Sequence, residues 1–307
     1  MLKQCMELYE ILDRPDASAE NVAALLAENG VKNCEIVHVK GNKGETGFIR
    51  FVVPGKNGKS VGGNAPTLEI DGRLGGLGAR PELIGFVSDG DGALCALAAG
   101  MKLARMHEYG DVLEGDVVIC THICPNAPTT PHEPVRLMGS PVDDAQMIAL
   151  ETEYPADAIL SIDTTKGNRI ICHRGFAISP TVKEGYILRF SDDLLDIMQR
   201  VTGCLPKTLA ITTQDITPYG NGIDHINSIM QPSCKTDAPV VGVAITTEVP
   251  VAGCATGATH LFDVEMAAKF VVEVAKAFTN GSCVFYNREE FARLKALYGD
   301  RSQLFRG

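Results

Sequence analysis

The chain has 307 residues, 45% of them hydrophobic, and a formal charge of −10 from 28 Lys and Arg against 38 Asp and Glu. Length and apolar fraction suffice for a sizeable core, and an acidic balance without a Lys/Arg run argues against nucleic acid or an anionic membrane as partner. No stretch approaches the roughly 20 apolar residues of a membrane span, and Met1-Leu2-Lys3-Gln4-Cys5 lacks the apolar core of a secretory signal, so a cytoplasmic location is expected.

In chain order, Glu35–Val39 and Phe48–Val53 read as strands around the turn-rich Gly41-Asn42-Lys43-Gly44. Pro66–Ile70 and Leu83–Val87 read as short strands flanking a glycine-rich bend. From about Gly92 to His107 the pattern is helical, with Leu94, Leu97, Ala98 and Met101 on one face. Asp116–Ile123 is a continuous apolar run between Gly115 and Pro125, as a strand buried on both faces requires, and Ala158–Ile162 repeats it. A helix is expected over Asp192–Val201, strands over Leu209–Thr213 and Val240–Ile245, and a long helix over Asp263–Phe278. Strands alternating with helices predict a single α/β domain over 1–307, its sheet covered on both faces, with a polar tail from about 288.

The ten cysteines include no CxxC pair, so most read as reduced thiols serving as small core residues. Several nucleotide and metal motifs fail. Gly55-Lys56-Asn57-Gly58-Lys59-Ser60 ends like a phosphate loop but has Val53 where the first glycine belongs. Asp89-Gly90-Asp91 begins like a calcium loop but has Leu94 at position six and Gly100 at position twelve. No nucleotide cofactor is expected.

In α/β sheets, ligands bind outside the carboxyl ends of the strands. Five apolar runs here deliver polar residues at that end: Asp89 and Asp91; His122, Cys124 and Asn126; Asp163 and Lys166; Asn221, Asp224 and His225; and Cys254. One polar cleft is therefore expected. Asp89, Asp91 and Asp163 are candidate ligands of a divalent metal, zinc or manganese, whose bound water is a nucleophile near neutral pH. His122 and His225 are replacement ligands or acid–base groups. Cys124 and Cys254 are candidate nucleophiles or acid–base groups with either histidine as partner. Along an extended strand Cys120, His122 and Cys124 share a face, which also permits a thiolate–imidazole zinc site. Asn126, Lys166, Asn221 and Asp224 line the cleft as substrate contacts, and His132 reaches it from a proline-rich loop. Gly72-Arg73-Leu74-Gly75-Gly76-Leu77-Gly78-Ala79-Arg80 can present backbone N–H groups with Arg73 or Arg80 to an anionic group. For each single residue a plainer role exists, such as a helix cap for Asp89 or Asp91, a turn for Asp163 or a satisfied core histidine for His122.

The strings Gly72–Pro81, Val87–Ala93, Thr121–His132, Ser161–Arg169, Gly175–Ile187 and Gln214–Gly222 resemble a bacterial family termed domain of unknown function 1177, along nearly the whole chain. Ser88-Asp89-Gly90-Asp91-Gly92-Ala93, Leu160-Ser161-Ile162-Asp163, Asn221-Gly222-Ile223-Asp224 and Asp263-Val264-Glu265 also resemble, in order, segments of the co-catalytic metallo-aminopeptidases. That second resemblance implies a three-layer α/β/α sandwich with a mixed, mostly parallel sheet, zinc-peptidase-like, assembling into homo-oligomers. The early His-x-Asp ligands, the Glu-Glu pair and the final histidine of those enzymes have no counterpart here. Three readings follow: a metal-assisted hydrolase of a small amide, peptide or lactam; a metal-free cysteine enzyme of amidase or racemase type; and a ligand-binding or assembly protein on an enzyme's fold.

Overall fold

The computed structural model describes residues 1–73, 85–131, 137–218, 221–225, 227–251 and 259–304. Helices α1 (Leu2–Leu12) and α2 (Ala19–Glu28) precede the hairpin β1 (Glu35–Gly41) and β2 (Gly44–Val53). Then come β3 (Leu68–Gly72), α3 (Asp91–Glu108), β4 (Val117–Ile123), the two-residue strands β5 (Thr129–Thr130) and β6 (Leu137–Met138), and α4 (Asp144–Glu151). The chain continues through β7 (Ala158–Thr165), β8 (Gly175–Ile178), β9 (Val182–Lys183), β10 (Tyr186–Ile187) and α5 (Asp192–Thr202). It closes with β11 (Val240–Thr246), α6 (Leu261–Thr279) and α7 (Arg288–Tyr298).

The main sheet has nine strands in the order β1-β2-β4-β3-β7-β11-β9-β10, with β8 also paired to β11. Its long central strands, β4, β3, β7 and β11, run parallel, and antiparallel pairs flank them at both margins. All four central strands therefore end at one rim.

The sheet's two faces differ sharply. One carries Ile70, Ile119, Leu160, Ile162 and Val243, which join α1, α3 and α6 in the main core. Burial of this size is the dominant favourable term in folding. Helix α3 presses close because its contacting side is Ala and Gly: a Cβ at Gly100 would stand 2.6 Å from both Ile119 Cγ1 and Phe51 Cζ. The opposite face holds two smaller apolar clusters. Phe48 and Cys120 meet Val142 and Met147 beside α4, while Ile159, Val240 and Ala244 meet Ile229 and Met230. Helix α4 and the 3-10 turns Thr213–Ile216 and Gln231–Cys234 cover that side. The molecule is thus the mixed α/β sheet flanked by helices that the alternating pattern predicts, with one thick helical layer and one thin one.

Two local expectations are corrected. Leu209–Thr213 is not a strand: Thr208 makes a single bridge to Ile178, after which the chain enters a 3-10 turn. The Asp215 carboxylate accepts from the Thr212 backbone N–H at 2.7 Å, and this local bond outcompetes sheet pairing. Of Leu83–Val87, residues 83 and 84 lie outside the described residues. The polar segment from 288 is helix α7, capped by Asn287 and held through Phe291, whose ring meets Tyr186 edge-on at 5.8 Å.

Candidate active site

Period-two geometry places Glu69 and Asp71 of β3 on one face of the sheet, opposite to Leu68 and Ile70. The parallel register sets Asp71 beside Cys120 of β4 and Ser161 of β7, so the same face carries Cys120, His122, Ser161 and Asp163. A buried polar band thus runs between the two small apolar clusters toward the rim where the parallel strands end.

Four groups meet at that rim. Asp91 opens α3, and neither it nor Asp89 caps the helix, whose cap is Gly90 without a side-chain bond. A Cβ at Gly92 would stand 2.6 Å from the Ile162 carbonyl oxygen and 2.7 Å from that of Arg73, so only glycine lets the start of α3 sit this close to β3 and β7. The Lys166 ammonium, just past β7, donates to Asp91 Oδ2 at 3.2 Å, and the Thr259 hydroxyl donates to Asp91 Oδ1 at 2.8 Å. Asp163 accepts from the Ser228 hydroxyl and from the Thr164 backbone N–H, each at 2.6 Å. Its neighbour Thr164 ties β7 to the Ser88 carbonyl at 2.8 Å, which links Asp163 to the turn that carries Asp89.

Burial sets the charge states. It pushes the half-buried Asp89 carboxyl up to about 7, helped by the charges of Asp163 and Asp91 and opposed by Lys166. Burial lifts Asp91 to about 6 against the pull of Lys166 and Thr259. Asp163 is raised by burial, against Ser228 and Arg73. Two carboxyls of intermediate pKa beside an ammonium form an arrangement suited to moving protons near neutral pH.

A family model described as a protein of unknown function, DUF1177, matches residues 37–306. The chain belongs to the DUF1177 family. No curated protein matches it. Among solved structures, the crystal structure of the Legionella pneumophila LapA aminopeptidase is similar at TM-score 0.49 and 12% identity, over 91% of this chain and 71% of that one. No helix among the described residues is long and apolar enough to cross a membrane.

Several expected roles change in this DUF1177 member. Residues 74–80 of the expected anion cradle lie outside the described residues, and Arg73 is buried. It is 1% exposed and stands 3.5 Å from Glu151, itself 1% exposed. His122 is stacked on Phe48 at 5.1 Å, with its Nδ1 2.8 Å from Thr46 Oγ1. The same hydroxyl lies 3.0 Å from the Ile123 carbonyl. Burial, then the Arg73 charge, lowers His122 to about 4, so the ring is neutral and serves as a packed core histidine. Cys124 is fully buried, donates to the Glu45 carbonyl and has its thiol pushed up to about 11 by burial, the opposite of an activated nucleophile. His225 is half-buried in the loop leading to Asn227 and Ser228. Asn126, Asn221 and Asp224 are exposed; Asn221 closes a local turn through Thr217 and the Ile223 N–H. Arg80, His132 and Cys254 lie outside the described residues.

The divalent-metal expectation does not fit these side chains. Among the described residues no group of three or more His, Cys, Asp or Glu is placed to hold a metal ion. The carboxyl oxygens of Asp91 are engaged by Lys166 and Thr259, and those of Asp163 by Ser228 and Thr164.

Glu69, Asp71 and Glu151 were not among the residues singled out from the sequence. All three are at most 1% exposed, and among the described residues both carboxyl oxygens of Asp71 and of Glu151 lack a hydrogen-bond partner, as does the Ser161 hydroxyl. Burial drives Asp71 and Glu69 well above the usual carboxylate range, the Glu151 charge adding to it in each. The available signal was the alternation Leu68-Glu69-Ile70-Asp71 inside an apolar strand.

Proposed function

We propose that this DUF1177 member hydrolyses a small amide, peptide or lactam by acid–base chemistry at the rim formed by Asp89, Asp91, Asp163 and Lys166. The observation that carries this reading is the Lys166–Asp91 pair, 8% and 0% exposed, at the end of the parallel strands. It gives a fixed cation next to a carboxyl, Asp89, whose pKa of about 7 suits a general base.

In this reading Asp89 takes a proton from water as the water oxygen adds to the carbonyl carbon. Lys166, held by Asp91, faces the negative charge that develops on the carbonyl oxygen. When the C–N bond breaks, the Asp89 carboxyl returns its proton to the leaving nitrogen. The products are a carboxylic acid and an amine, and no step passes through a metal.

The test is turnover of a panel of short peptides, amides and lactams by the purified chain with and without exhaustive chelation. Activity that survives chelation and falls by roughly 10²–10⁴ in Asp89→Asn supports the reading. Turnover abolished by the chelator and restored by a divalent ion would return the metal-assisted alternative. Tight binding of a panel member without turnover would select the ligand-binding one.

A further inference from the structure

Glu69, Asp71 and Glu151 take no part in the hydrolysis proposed above. The register sets one row across the sheet: Arg50 of β2, Cys120 of β4, Asp71 of β3 and Ser161 of β7. By alternation Glu69 lies on the same face. The last turn of α4 closes over this row, where the Cys120 thiol donates to the Leu150 carbonyl at 3.9 Å and Glu151 stands 3.5 Å from Arg73.

Charge does not balance in this space. Glu69, Asp71, Glu151 and Arg73 are each at most 1% exposed, so three carboxyls share the interior with one guanidinium. Asp144 of α4 and Asp163 of β7 face the same guanidinium, as do the neutral His122 of β4 and Cys234 from the 3-10 turn that meets α4. Arg50 faces Glu69, but it is committed to Glu153 at 2.5 Å and lies 4.0 Å from Glu35. Among the described residues neither oxygen of Asp71 or Glu151, nor Oε2 of Glu69, has a hydrogen-bond partner. A carboxylate buried in this way is far costlier than a neutral carboxylic acid. With Glu151 as the partner of Arg73, the closed interior holds Glu69 and Asp71 as neutral acids.

The cover is slight. Helix α4 has eight residues, and of its side chains only Met147, Ile148 and Glu151 are buried. Met147 joins Phe48, Cys120 and Val142 in a cluster far smaller than the core that holds α3 and α6 on the other face.

We propose that α4 is a pH-sensitive lid, closed over the sheet while Glu69 and Asp71 carry their protons and released as they ionise. Ionisation sets like charges beside Glu151 and Asp163 in a dry space, and lifting α4 lets water reach them all. Burial raises both acids well above the ordinary carboxylate range, so the closed form binds protons more tightly than the open one. Closure is therefore complete at acid pH and weakens as pH rises. The lid works whether or not the rim hydrolyses an amide.

Hydrogen–deuterium exchange of the full chain between pH 5 and 9, corrected for the intrinsic pH dependence of amide exchange, tests it. Protection of the hydrogen-bonded amides from Met147 to Thr152 should fall with rising pH, by up to about tenfold per pH unit for each proton released. Helices α3 and α6 should keep theirs. Asp71→Asn combined with Glu69→Gln puts neutral groups of the same shape there and should leave α4 protected at every pH. Either substitution alone should lessen the slope. Met147→Ala, which weakens the lid without touching an acid, should lower α4 protection at all pH values and leave the slope unchanged. Protection of α4 that is flat in pH overturns the proposal. So does a slope that survives both acid substitutions, or a loss shared equally by α3 and α6, which would report unfolding of the whole chain.

Discussion

Lys166 Nζ stands 3.2 Å from Asp91 Oδ2, and the two side chains, 8% and 0% exposed, form an ion pair almost wholly removed from water. Such a pair contributes little net stability when intact, but removing one partner leaves an uncompensated buried charge. Thr259 and the N-terminal end of α3 supply the remaining support for the carboxylate.

Lys166→Met should therefore destabilise the chain by about 3 kcal/mol at pH 8. The loss should shrink on acidification, because without Lys166 the Asp91 carboxyl takes up a proton at higher pH than it does in the native chain. Adding Asp91→Asn to the same chain should recover most of it, because the orphaned charge is then gone. Urea unfolding of the two variants at pH 5 and pH 8 reads this out. Equal losses in the single and double variants would show that the pair does not carry the effect.

Asp89→Asn should stabilise the protein while lowering the turnover proposed for it. The folded-state pKa of about 7 lies above the ordinary aspartate value of 3.8, so the folded state holds the proton more tightly than the unfolded chain. Asp89 thus costs nothing at low pH and progressively destabilises as pH rises toward 7. The substitution is expected to add roughly 1–3 kcal/mol at pH 8, and its benefit should vanish below about pH 4. Denaturant midpoints measured across that range check both sign and window.

The pH–rate profile should follow the same group. In the proposed hydrolysis Asp89 is the general base and acts only when deprotonated, so kcat/KM should rise with pH and level off above about 7. Asp89→Glu, which keeps a carboxyl there, should retain a shifted limb, whereas Asp89→Asn should lose it. A limb that stays in place in Asp89→Asn would assign the titration to another residue.

Cysteine labelling separates exposed thiols from buried ones. Cys172 and Cys204 are exposed and should react with iodoacetamide in the folded protein. Cys124, with its thiol raised to about 11, should react only in denaturant. Rapid modification of Cys124 in the folded chain at pH 8 would contradict the buried environment described above.

The legible parts of this fold share a cause. Strands β4, β7 and β11 are buried on both faces, so each leaves an uninterrupted apolar run, and α3 and α6 show helical periods because they cover one side of the sheet. Strand β3 is equally buried, but carries Glu69 and Asp71 on one face; its apolar residues mark the strand, while two acids within it carry no local sign of being buried. Glu151 ends α4 and reaches Arg73 across 78 residues of chain, a pairing with no local signature.

Asp91 and Lys166 both follow apolar strand runs in the sequence, and the fold brings these two side chains to 3.2 Å. The roles of His122 and Cys124 were not readable, because alternation along β4 identifies a shared face without saying what covers it. Helix α4, Phe48 and Thr46 cover it, and the resulting loss of water keeps the imidazole neutral and the thiol protonated.

Composition and periodicity on their own determined that this chain forms an α/β sheet whose acidic residues gather where parallel strands end, since alternation and apolar runs are local properties. Only the tertiary structure decided which of those acids pair with a cation, which are buried with no hydrogen-bond partner among the described residues, and where water is excluded. Solvation and Coulomb terms depend on distance through space, and residues far apart in the chain acquire that distance only when the sheet closes around them.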